Sequence, residues 1–239
     1  MQDISKGSAL IFGICIFLGL AALGLLLGNA AIEYREYERT VTVKGLSERE
    51  YPADIVIWPI QFTEASNDLA ILYESLEQST LRIREFLEDN GIDEDEITQT
   101  APAITDKLAQ QYGGNEGAEF RYTASQIVTV YSDDIDTVRD IMGSLSELGR
   151  SGIVFTNGGY QYQTEYLFNR LNEVKPEMVE EATREARAVA EKFAEDSRSS
   201  LGKIKNASQG QFSISDRDTN NPHIKTVRVV STVQYYLSD

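Results

Sequence analysis

The chain has 239 residues but only one histidine, His223, and one cysteine, Cys15. Any Ser-His-Asp or Cys-His nucleophilic site would have to be built on these two. Neither is well placed. Cys15 lies within an uncharged apolar run, and His223 follows Pro222 in a polar stretch without a G-x-S-x-G elbow in the chain. A single cysteine excludes a disulfide framework and any multi-Cys zinc or iron–sulfur site, and with one histidine a structural zinc site is poorly served. Carboxylates are plentiful, with 38 Asp and Glu, yet no spacing singles out a catalytic pair. The densest group is Glu88, Asp89, Asp93, Glu94, Asp95 and Glu96. A calcium loop needs D-x-[DN]-x-[DN]-G, and Ile97 stands at the fifth position counted from Asp93. That stretch reads as a solvated acidic loop, as do Asp216 and Asp218 around Arg217. The glycines of residues 110–117 match neither GxxxxGK[ST] nor GxGxxG. The sequence therefore nominates no catalytic residues, no cofactor-binding residues and no metal ligands.

Tyr160, Tyr162 and Tyr166 are separated by even steps. On a continuous strand they would share one face, as core packing, as a self-association surface or as a ligand platform. They are the candidate interaction surface.

The formal charge is −16 and the pI is about 4.5. A general nucleic-acid binder draws its affinity from Lys and Arg on phosphates, so this balance argues against a nucleic-acid partner. Asp3 and Lys6 cancel within the first thirty residues, so the whole charge rests on residues 31–239.

The elements follow from hydrophobic periodicity. Residues 39–47 alternate around Val41 and Val43, and a second strand runs from Pro52 through Ile55, Ile57, Ile60 and Phe62. Pro59 lacks a ladder donor and predicts an edge position or a bulge there. A helix over residues 67–90, capped by Ser66 or Asn67 and closed at Gly91, buries Leu69, Leu72, Leu76, Ile83 and Leu87. Strands follow at residues 97–104 and 120–131. Asp133 or Asp134 caps a second helix carrying Val138, Ile141, Met142, Leu145 and Leu148, stopped by Gly149 and Gly152. Residues 153–166 form a strand region broken by the turn Asn157-Gly158-Gly159. Pro176 fits the first turn of a third helix, with a narrow stripe of Val179, Ala182, Ala186, Val189 and Phe193 and with Glu180–Arg184 and Arg187–Glu191 pairs opposite. Strands at residues 203–214 and 225–237 end the chain. The order ββαββαβαββ does not alternate helix with strand. It predicts an α+β fold, antiparallel sheet with three main helices packed on one side.

Residues 9–27 (ALIFGICIFLGLAALGLLL) carry no charge and hold twelve Leu, Ile or Phe. As a helix they span about 28 Å, close to the roughly 30 Å hydrocarbon core. Their apolar side chains favour insertion by on the order of 4 to 7 kcal/mol. Residues 1–30 read either as a retained anchor or as a signal peptide cleaved after Ala30, where Gly28 and Ala30 are small. The run exceeds the usual signal length, which favours the anchor. The lipid bilayer is then a partner through residues 9–27. The expected location is the inner membrane, single-pass, with the carboxy-terminal domain in the periplasm; cleavage would leave it soluble there.

Residues 39–237 resemble the SIMPL-domain family of bacterial envelope proteins. The resemblance rests on VTVKGLSEREYPADIVIWPIQF, GIDEDEITQT, RYTASQIVTVYSDDIDTVRDIMGSL, GIVF and EATREARAVAEKFAEDSRSSLGKIKNASQ, in that order and spacing. It implies a SIMPL-like α+β domain over residues 31–239, self-association into a ring-like homo-oligomer and a loose link to envelope or oxidative stress. No catalytic residues are established for the family. The resulting expectation is a non-enzymatic, membrane-tethered module that needs no cofactor and self-associates through strand edges and the small-residue helix. Two other readings remain open: a binding module for an envelope polymer or peptide, using the tyrosines or an exposed strand edge, and an unrecognised hydrolase.

Overall fold

A computed structural model describes residues 6–37, 39–109, 119–156 and 162–238. The chain folds as α+β with antiparallel strands behind an apolar amino-terminal helix. It divides into two units. One comprises Met1–Glu48, Lys175–Phe212 and Arg228–Asp239; the other comprises Arg49–Val174 and Ser213–Val227.

The second of these is built on β2 (Ile55–Ser66), whose inward residues Val56, Trp58, Ile60 and Phe62 are buried with the period of a half-covered strand. It pairs antiparallel with β5 (Tyr122–Ser132), from Val56 opposite Ser132 to Ser66 opposite Tyr122. The short strands β3 (Ile97–Gln99) and β4 (Ala103–Asp106) lie against β5, and β6 (Val154–Phe155) and β7 (Glu165–Leu167) lie against β2. The single strand expected over residues 97–104 is thus two strands, interrupted at Thr100. There the Thr100 Oγ1 accepts from the Ile127 N–H, and the Thr100 carbonyl accepts from Gln126 Nε2. Pro59 is not on an edge strand: it faces Thr129 of β5. On its other side β7 covers residues 55–57 and β6 covers residues 62–63. The missing donor falls between those two partners, where no described strand asks for it.

Helix α2 (Leu69–Asp89) covers this sheet with Leu72, Leu76, Ile83 and Leu87. Its cap is neither Ser66 nor Asn67 but Asp68, whose Oδ1 accepts from the Ala70 and Ile71 N–H groups at 2.7 and 3.3 Å. Asn67 instead ties two loops, accepting from the Arg121 N–H and donating to the Glu119 carbonyl. Leu69 is 42% exposed, outside the apolar stripe assigned to it. Gly91 closes the helix at φ +99°, a conformation costly for any residue with a Cβ. A 3-10 turn (Glu94–Glu96) leads into β3. Asp134 caps α3 (Ile135–Ser144), which continues through Leu145 into α4 (Ser146–Arg150); Val138, Ile141 and Leu148 complete the core.

The first unit holds α1 (Lys6–Tyr37), most of α5 (Leu171–Asp196), β8 (Ser200–Gln209) and the corresponding parts of β1 (Thr40–Pro52) and β10 (Ile224–Ser238). The sheet order is β1-β10-β8, and β9 (Ser213–Asp216) also pairs with β10. Helix α5 starts before Pro176, which sits inside it. Its buried stripe is Met178, Ala182, Ala186, Ala190 and Ala194, a strict i,i+4 series. Val189 and Phe193, expected in that stripe, are 40% and 57% exposed. The reason is close approach. Gly45 of β1 meets the helix backbone so tightly that a Cβ there would lie 1.9 Å from the Ala182 carbonyl oxygen. A row of alanines and a glycine permits that separation, and valine or phenylalanine in the row would hold the layers apart. The small-residue face is therefore consumed within the chain. Val43, Ala186, Ala190, Val233 and Tyr235 form the core of this unit.

Candidate functional site

Tyr162 and Tyr166 lie on no common described strand. Tyr160 lies outside the described residues. Tyr162 precedes β7 and is 41% exposed, whereas Tyr166 sits in β7 opposite Val56 and is buried. The Tyr166 ring meets His223 edge-on, with centroids 6.1 Å apart, and burial pushes its phenol above the usual value. Within the described residues β7 stops at Glu165, so Tyr162 and Tyr166 do not share its face.

The His223 backbone joins two segments. Its carbonyl accepts from the Ala53 N–H at 2.8 Å. Burial, then the positive charges of Arg139 and Arg217, hold its imidazole below the ordinary histidine value. Two serines do donate to carboxylates, Ser79 to Glu64 at 2.6 Å and Ser47 to Glu181 at 2.7 Å. Both serines are buried, at 4% and 2% exposure, so no substrate carbonyl reaches them.

The acidic stretch is spread along a helix end and a turn. Glu94 pairs with Arg84 at 3.2 Å, and Glu96 accepts from the Asp93 N–H. Asp218 accepts from the Asn220 and Asn221 N–H groups and from Arg217, whose guanidinium holds its carboxyl below the usual range. Asp216 pairs with Lys225, a lysine only 7% exposed. Among the described residues no three His, Cys, Asp or Glu side chains converge as metal ligands.

One polar cluster has no counterpart in the sequence pattern. Asp54, its side chain 14% exposed, accepts from the Asn169 and Arg170 N–H groups at 2.6 and 3.1 Å and pairs with the Arg170 guanidinium. It caps the approach to α5 from 115 residues away in sequence. Phe168 stacks on Tyr51 with centroids 5.4 Å apart, beside the Arg170 cation. Both carboxylate oxygens of Asp54 are committed to structure. Nothing local marks this partner, because the contact is made between distant segments.

Open grooves among the described residues include the following two. One, of about 800 Å³, runs between α2 and the β3–β5 edge past Tyr73, Leu76, Thr80, Arg84 and Pro102. On its floor Thr80 donates to the Leu76 carbonyl, and Gln126 donates to the Thr100 carbonyl. The other, of about 750 Å³, lies between α5 and β8 and is lined by Glu180, Arg184, Arg187, Lys203, Ile204 and Tyr235. Arg187 is paired with Glu191 at 2.9 Å; the expected Glu180–Arg184 pair does not form. Neither groove brings a nucleophile to a base. Both mix charged and apolar residues in their linings.

No curated protein matches the chain. A family model does: residues 41–235 match SIMPL, described as a protein of unknown function (DUF541). That match reaches into both units and takes in β2 to β9 whole and most of β1 and β10, and on it the chain belongs to the SIMPL family.

Proposed function

We propose that the chain is a non-enzymatic module, tethered to the inner membrane with its folded body in the periplasm, that works by contact and self-associates. The observation that carries this reading is the exposure of α1. Its apolar stretch Leu10–Ala30 has a mean hydropathy of 2.8, and none of it is buried against the chain. An exposed apolar surface of that size supports a bilayer around it. Val189 and Phe193, one turn apart and exposed on α5, support self-association. So does the family resemblance, on which the link to envelope or oxidative stress also rests.

Membranes from cells expressing the full chain test the tether. The protein should resist alkaline carbonate extraction, and its intact mass should retain residues 1–30. A mature mass beginning at Ala31 would replace the anchor with a cleaved signal; native protein in the cytosol would sink the reading altogether. Sedimentation of the detergent-solubilised chain tests association, and a strict monomer at tens of micromolar would reject it.

A further inference from the structure

The groove between α5 and β8 is basic on balance in a strongly acidic protein: Arg184, Arg187 and Lys203 outnumber Glu180 in its lining, Arg187 being paired with Glu191. The chain carries −16 overall, yet β8 (SLGKIKNASQ) holds two lysines and no acid. Arg184 and Lys203 line the groove, are exposed and make no ion pair among the described residues. Ile204, 50% exposed, and the buried Tyr235 give an apolar floor between them.

The wall of this groove is a strand edge. Along its length β8 pairs with β10 on one side, and on the other no described strand meets it. Nine of its ten residues are exposed. A free edge presents N–H and C=O groups that another extended backbone can complete. Lysines on such an edge ordinarily prevent pairing, and two β8 strands from different copies would set like charges side by side. The same lysines favour a strand of the opposite sign.

We infer that the α5–β8 groove binds an extended, acidic polypeptide segment, which adds to the free edge of β8 as a fifth strand. Alternate side chains of that segment face the groove. Asp or Glu among them meets Arg184 and Lys203, and an apolar residue covers Ile204 and Tyr235. This goes beyond the self-association proposed above, which uses Val189 and Phe193.

The test uses the full chain in phosphatidylcholine nanodiscs and three fluorescent probes: an acidic β-prone peptide (TEVEVET), its basic counterpart (TKVKVKT) and a heparin oligosaccharide. Anisotropy should show the acidic peptide binding at least tenfold tighter than the basic one, and more weakly as salt is raised. Deuterium exchange should slow along residues 200–209 when it binds. The double variant R184E/K203E should lose at least tenfold for the acidic peptide and gain for the basic one. Equal binding of both peptides, an acidic-peptide affinity unchanged in the variant, or protection confined to other strands would overturn the proposal. Heparin binding as tightly as the acidic peptide would also overturn it, because a sugar chain has no backbone to pair with β8. If the variant does not fold, R184Q/K203Q and the exchange pattern of the unmodified chain decide. Self-association measured in parallel distinguishes loss of this site from loss of assembly.

Discussion

Among the described glycines, Gly45 has the least room for a side chain. A methyl group there would meet the Ala182 carbonyl oxygen at 1.9 Å and the Ala186 nitrogen at 2.4 Å, both backbone atoms. Gly45→Ala should cost about 3 kcal/mol or more, read as a lower denaturation midpoint. A variant as stable as the parent would mean that strand and helix do not touch at this point. Titration adds a second residue-scale expectation. Unfolded, His223 protonates near the ordinary value of about 6.5; folded, burial and then the charges of Arg139 and Arg217 hold it lower. Between those two values the unfolded state binds more protons, so stability falls as pH drops through the interval. The carboxyls of Asp106, Asp134 and Asp218 are held below the usual range by hydrogen bonds from Arg121, Thr137 and Arg217 respectively. Their contribution is present above the ordinary carboxylate value and is lost as pH falls beneath it, in the same direction. His223→Gln should remove the loss that begins below about pH 6.5 and leave the more acidic limb intact. Denaturation midpoints across pH check this; identical slopes in parent and variant would dismiss the histidine.

Helix termini carry a separate expectation, at the scale of elements. Asp68→Ala should destabilise by about 1 kcal/mol through loss of the α2 cap, whereas Asn67→Ala should leave the helix capped and loosen only the Glu119–Arg121 loop. Calorimetry of the two variants separates the roles. These neighbours also show where the sequence is legible. Period-2 alternation locates β1, β2 and β5, and the 3.6 period locates α2, because each buries one face against a single partner. The α2 cap differs from expectation by one residue, since Ser66, Asn67 and Asp68 are all competent and the tertiary use of Asn67 decides among them. Periodicity presents the α5 stripe as apolar bulk, whereas its controlling property is smallness. Pattern counts hydrophobicity, but the Ala182–Ala186 contact with Gly45 is set by clearance. Tyr162 and Tyr166 show a related point: even spacing predicts a shared face only while the strand lasts, and β7 is three residues long. Asp54 leaves no local trace at all, because its partners come from Asn169 and Arg170.

For the molecule as a whole, apolar surface and charge are segregated. The exposed apolar stretch of α1 is uncharged, and the −16 resides on residues 31–239. Val189→Ser with Phe193→Ser should leave the denaturation midpoint within about 0.5 kcal/mol of the parent, as for exposed positions generally. The same pair should shift sedimentation toward the monomer; unchanged assembly would move the contact elsewhere. The contact at Gly45 has one more effect. Because the strand and helix backbones touch there with no side chain between them, a slip of either past the other would drive backbone into backbone, so β1 and α5 are locked against sliding at that point.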